Sequence, residues 1–305
     1  MSTRFDAIPG APAPSASAVP HAPTRAYWWS VRRELWESRS IYLAPLCAAA
    51  VVLVGFFISM GYLPLGLRGD ASGLAPEFAK RLDVAAVAVI LTSVIVGLFY
   101  CLDALYGERR DRSILFWKSL PVSDLTSVLA KFSIPMIALP LVAFVVILAL
   151  QLVMTLVATV ALVARGLDAS PLWTQMPMLQ GTGVLLYGLA TLALWHAPIY
   201  AWFLAVSAWA RRGPLLWAVL APLALCVIER IGFGTTYLTR LVVYRLTGGF
   251  GQAFVAPEKS MHGIPFMPHI DAARFVTSPG VWLGLAAAAA LLYAAMRLRR
   301  AAEPI

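Results

Sequence analysis

Six apolar runs limit this chain more than anything else in it. They are residues 41–63, 84–106, 134–163, 183–205, 215–228 and 281–296. A helix that crosses a bilayer needs about 20 apolar residues, and four of the runs meet this easily. The sixth has Trp282 and Tyr293 near its ends, where aromatic rings settle at headgroup level. The fifth is short, with fourteen residues between Pro214 and Glu229. It must continue through Glu229 and Arg230 towards Phe233 or stop near the surface. No run holds a charge at its centre, where one costs about 2.5–3.5 kcal/mol. Composition agrees: 60% of residues are hydrophobic and 13% charged, well below the roughly 25% charged of soluble domains. The expected fold is an all-α integral membrane protein with six transmembrane helices.

The net charge of +9 does not point to nucleic acid, because the basic residues fill the gaps between apolar runs. With the N-terminus inside, fifteen of the 24 Lys and Arg fall on the cytoplasmic side and nine outside. Most of those nine lie in one long connection, 229–280, which the positive-inside rule discounts. Both termini are therefore expected in the cytoplasm. Cys47, Cys101 and Cys226 lie in or at the ends of apolar runs and match no zinc or disulfide spacing. No metal site is expected.

Residues 1–24 are rich in Ala, Pro and Ser and read as a disordered cytoplasmic tail; residues 25–305 form the membrane domain. Residues 25–42 have helical amphipathicity. Tyr27, Trp28, Val31 and Leu35 share one side, with Trp29 and Trp36 at its edge; Ser30, Arg33, Glu34 and Glu37 cover the other. Tryptophan with arginine on such a helix suits the headgroup layer, so an interfacial helix in contact with membrane lipid is predicted. In the connection 229–280, Leu238, Leu241 and Val242 have helix-like spacing before Gly248 and Gly249. The Pro-rich part that follows reads as irregular cover over the outer mouth.

Between the second and third runs lies a polar island, 107–132, GERRDRSILFWKSLPVSDLTSVLAKF. It carries Arg109, Arg110, Arg112, Lys118 and Lys131 around an apolar cluster of Ile114, Leu115, Phe116, Trp117 and Leu120. Residues 112–120 have room for about two helical turns, which Pro121 ends. Ser123 and Asp124 then suit the cap and first turn of a new helix. Leu125, Val128, Leu129 and Phe132 form one face of it. An exposed apolar turn flanked by arginine has the residue types of a protein interface.

The stretch LYGERRDRSILFWKSLPVSDLTSVLAKF resembles the first cytoplasmic loop of permease subunits of bacterial type-2 ABC exporters. PIYAWFLAVSAWARRGPLLWA, 198–218, is similar to their span-four end and second cytoplasmic loop. The resemblance covers the chain from about residue 25. It implies an inner-membrane permease that works as a homodimer, or as a heterodimer with a related permease. ATP and Mg would be bound by a separate ABC ATPase subunit. It further implies that the island is the coupling helix, with Arg109, Arg110, Arg112 and Lys118 facing acidic rim residues of the ATPase. Ile114, Phe116 and Trp117 would fill its groove. Apolar spans with scattered Thr, Ser and Gln fit an amphipathic or lipophilic cargo, and equally plain packing between helices.

The chain itself has no G-x-x-x-x-G-K-[ST] loop to cradle phosphates, so no catalytic residue is expected in it. A membrane-embedded enzyme would have to use Asp103, His196, Glu229, His262 or His269. His262 and His269 are seven apart, not the four that H-E-x-x-H requires. Blander expectations are an Asp103–Arg109 ion pair, a His196 bond to the carbonyl freed by Pro198, and an interfacial Glu229–Arg230 pair. A non-transporting membrane scaffold is the third reading.

Overall fold

The computed structural model describes residues 23–61, 74–114, 116, 122–174, 178–255 and 269–301. Among these the regular structure is helical apart from one two-residue strand pair. Helix α1 (Pro23–Glu37) turns at Ser38 and Arg39 into α2 (Ser40–Gly61). Then come α3 (Leu74–Arg110) and α4 (Asp124–Ser133), which passes through a π-helical stretch, Ile134–Ala138, into α5 (Leu139–Ala164). A short α6 (Ser170–Thr174) precedes α7 (Met178–Trp209) and α8 (Pro214–Gly232). Helix α9 (Tyr237–Ala253) follows, then β1 (Phe254–Val255), β2 (His269–Ile270), α10 (Ala272–Thr277) and α11 (Pro279–Ala301). The strands pair antiparallel.

Six helices are long and apolar enough to cross a membrane: Ser40–Met60, Pro76–Arg110, Asp124–Ala164, Gln180–Trp209, Pro214–Gly232 and Pro279–Ala301. They coincide with the six runs. The short fifth run does continue through Glu229 and Arg230, giving a helix of 19 residues. The chain is a multi-pass helical membrane protein.

Two cores hold the bundle. Ala49, Phe56, Val89, Ala143, Ile147 and Met154 join α2, α3 and α5. Ile41, Cys101, Val128, Ile134, Leu204 and Ala295 join α2, α3, α4, α7 and α11 nearer the island. Helix α7 is the central post, whereas α8 stands at the edge with most of its side chains exposed. Helices α3, α5 and α7 approach closely at Gly97. A Cβ there would lie 3.2 Å from both Leu139 Cδ1 and Tyr200 Cε1. The π-helical stretch answers to Pro135, which has no N–H to give an α-helical ladder; the extra residue absorbs the break without ending the helix.

Helix α9 runs straight through Gly248 and Gly249. Both lie against Trp195 of α7: a Cβ on Gly249 would fall 2.9 Å from Trp195 Cγ. Arg245 stacks on the same indole, with Cζ 4.7 Å from the ring centroid, and donates to the Gly280 carbonyl at 3.0 Å. The Pro-rich residues 256–268 lie outside the described residues, as does the tail 1–22.

Candidate functional site

The site is the island end of the bundle, where α1, the foot of α3, α4 and the C-terminal end of α11 meet. Helix α3 ends there with Arg112 in the left-handed region at φ 58°. This turns the chain out of the helix, at a cost of about 1 kcal/mol for a residue with a Cβ. Helix α4 begins as its sequence indicates. The Ser123 hydroxyl accepts from the Thr126 N–H at 3.1 Å, and Asp124 sits in the first turn.

The apolar stripe of α4 turns inwards only in part. Val128 is fully buried and Phe132 packs against the core, but Leu125 and Leu129 are exposed, while Lys131 is 3% exposed and Asp124 also turns in. Helix α1 is rotated in the same sense. Val31 and Leu35 do reach the core, but Glu34, placed on the outer side by its sequence, is 3% exposed. Trp28, Trp29 and Trp36 face outwards.

The inward polar faces meet in a lattice of charges. Lys131 Nζ lies 2.9 Å from Glu34 Oε1 and 3.1 Å from Glu108 Oε1. Arg299 joins Glu108 at 3.1 Å to Asp124 at 2.9 Å. Arg33 reaches Glu34 at 2.6 Å, Glu37 at 3.5 Å and Glu108 at 3.6 Å, and Arg300 reaches Asp124 at 3.7 Å. The Tyr100 hydroxyl donates to Glu34 at 2.8 Å. Among the described residues, carboxylates from α1, α3 and α4 thus meet cations from α1, α4 and α11. Burial alone would raise the Glu34 carboxyl; Lys131, then Arg33 and Tyr100, outweigh it and hold it below the ordinary carboxylate range. A cleft of about 530 Å³ between α1 and α3 opens onto these groups. Its buried carboxylates, Glu34 and Glu108, are already paired with cations.

A second clasp fixes the foot of α3. The fully buried Ser207 hydroxyl of α7 inserts into the α3 ladder, donating to the Leu102 carbonyl at 2.6 Å and accepting from the N–H groups of Leu105 (3.1 Å) and Tyr106 (2.9 Å). Arg109 returns the contact, donating to the Ser207 carbonyl at 3.2 Å and to that of Ala210.

The island residues therefore divide. Arg109 and Ile114 point inwards, Ile114 being 1% exposed. Arg110, Arg112 and Phe116 are at the surface, Phe116 being 59% exposed. Trp117 and Lys118 lie outside the described residues. Asp103 pairs with Arg110, 3.8 Å away, rather than with Arg109.

The remaining candidates lie elsewhere. His196 Nδ1 is 2.9 Å from the Leu192 carbonyl; the carbonyl freed by Pro198 would be that of Leu194. Glu229 does not pair with Arg230, which is exposed. Its carboxylate caps α9, accepting from Thr235 Oγ1 at 2.8 Å and from the N–H groups of Tyr237 at 2.6 Å and Leu238 at 2.8 Å. Asp103, His196 and Glu229 thus belong to three separate constellations.

Sequence reasoning missed Glu34, Glu108, Ser207 and Arg299. The available signal was charge at helical positions facing the bundle: Glu34 three residues after Val31, and Lys131 three after Val128. Comparison with family models, with curated proteins and with solved structures found no match.

Proposed function

We propose that this chain is the permease subunit of a bacterial type-2 ABC exporter, driven by a separate ATPase that binds ATP and Mg. The observation that carries the reading is the construction of the island end. An exposed arginine–phenylalanine surface sits directly beyond α3 and is followed by a capped helix that continues into a membrane span. Behind it the lattice of Glu34, Glu108, Asp124, Lys131 and Arg299 ties α1, α3, α4 and α11 together. A push on Arg110, Arg112 and Phe116 is therefore shared by four helices instead of being lost in a loop. Such a push does work only if the partner binds the two states of the bundle with different affinity.

In this reading the island faces the cytoplasm of a bacterial inner membrane, and two permease chains enclose the path of an amphipathic or lipophilic cargo. Of the groups an intramembrane enzyme would need, Asp103, His196 and Glu229 are engaged separately, and His262 lies outside the described residues. The test is the double variant Phe116→Ala/Arg112→Gly. Glycine keeps the left-handed turn while the charge and the aromatic anchor are lost. Retention of the ATPase through affinity purification should fall at least tenfold, about 1.4 kcal/mol, with membrane insertion unchanged. Undiminished retention would remove the docking role.

A further inference from the structure

The outer face of α1 has a composition that the proposed transport role leaves unused. Arg25, Trp28, Trp29, Arg32 and Trp36 fall on one arc of about 100°, and Arg39 follows at the joint with α2. All six are exposed. Arg32 lies between two indoles, its Cζ 5.3 Å from the Trp29 ring centroid and 4.7 Å from that of Trp36. Unlike Arg33, which turns into the lattice, Arg32 has no carboxylate within 4.0 Å among the described residues. The stripe itself contains no acid. Opposite it, Glu34 fixes the helix through Lys131 and Tyr100, so the stripe cannot roll away from the surface it presents.

We infer that this stripe is a binding surface for anionic phospholipid, with Arg32 holding the headgroup phosphate and Trp29 and Trp36 flanking it at the acyl boundary. Three guanidinium groups with no ion pair among the described residues select a negatively charged leaflet. Three indoles, each more than half exposed, need an apolar neighbour that water does not supply. A bilayer meets both demands with one occupant. The inference requires only that the six helices cross a membrane and stands whether or not an ATPase docks at the island.

The test uses the full-length protein in vesicles of phosphatidylcholine doped with phosphatidylglycerol or phosphatidylcholine brominated on the acyl carbons nearest the headgroup. Brominated phosphatidylglycerol should quench tryptophan emission at about one tenth of the mole fraction required of brominated phosphatidylcholine. In Arg25→Gln/Arg32→Gln/Arg39→Gln this preference should fall below about twofold. In Arg211→Gln/Arg212→Gln, which removes two exposed cations elsewhere, it should stay. Should the triple variant not insert, the single Arg32→Gln should still lose at least half of the preference. Equal quenching by the two lipids, or equal loss in the Arg211/Arg212 variant, would overturn the proposal; the first result would favour an acidic protein face as occupant.

Discussion

Lys131 shows how a charge survives inside this bundle. It is buried with two carboxylates at 2.9 and 3.1 Å, and its removal would leave Glu34 and Glu108 facing each other with less compensation. Losing one partner of a buried pair costs about 3–5 kcal/mol, more than the pair contributes relative to an apolar replacement of both. Lys131→Met should therefore lower the unfolding midpoint strongly, and Lys131→Met/Glu34→Met should recover part of the loss. Differential scanning fluorimetry of the solubilised protein reads both. The pH dependence has a definite sign. Because the folded state holds Glu34 below its ordinary value of 4.5, the stabilisation is fully present above that value. It is lost as pH falls through the depressed value. In Lys131→Met this low-pH loss should begin at a higher pH.

At the scale of elements, proline and glycine shape helices here without ending them. Pro135 sits in a π-helical stretch that carries α4 into α5, and Gly248 and Gly249 let α9 approach Trp195 closely. Gly249→Val should therefore push α9 away from Trp195, costing about 1–3 kcal/mol by overpacking. Gly251→Ala, with nothing within 4 Å of its Cβ, should be neutral or slightly stabilising. Hydrogen exchange across 237–253 distinguishes the two: faster in the first and unchanged in the second.

The six spans and the Ser123 cap were legible because run length and capping chemistry are local. The orientation of α1 and α4 was not. Periodicity locates a stripe, but when the surroundings are lipid as well as water it does not say which stripe faces in. The sequence groups Val31 with Leu35, and Val128 with Leu125, Leu129 and Phe132, and puts Glu34 on the polar side of α1; it does not show that Glu34 and Lys131 turn into the bundle, each only 3% exposed. Ser207 was invisible for another reason: its partners, Leu102, Leu105 and Tyr106, are about a hundred residues away in sequence.

The whole molecule is asymmetric along its length. One end is cross-linked by charges that reach from α1 to α11, and the other is closed by Trp195, Arg245 and the glycines of α9 around an apolar contact. A device that receives force at one end and changes access at the other is served by such a division: a stiff end to take the load and an end held by packing rather than by a charge lattice, which can part. The central claim is that the force comes from another polypeptide. The most direct measurement is ATP hydrolysis by the full-length chain purified to homogeneity in lipid nanodiscs, compared with the complex recovered from its native membrane through a tag on this chain. The account predicts no hydrolysis above background from the chain alone. It predicts steady hydrolysis from the complex, carried by a second polypeptide that has a phosphate-binding loop. Hydrolysis by the chain alone, or a native complex without any such polypeptide, would contradict it.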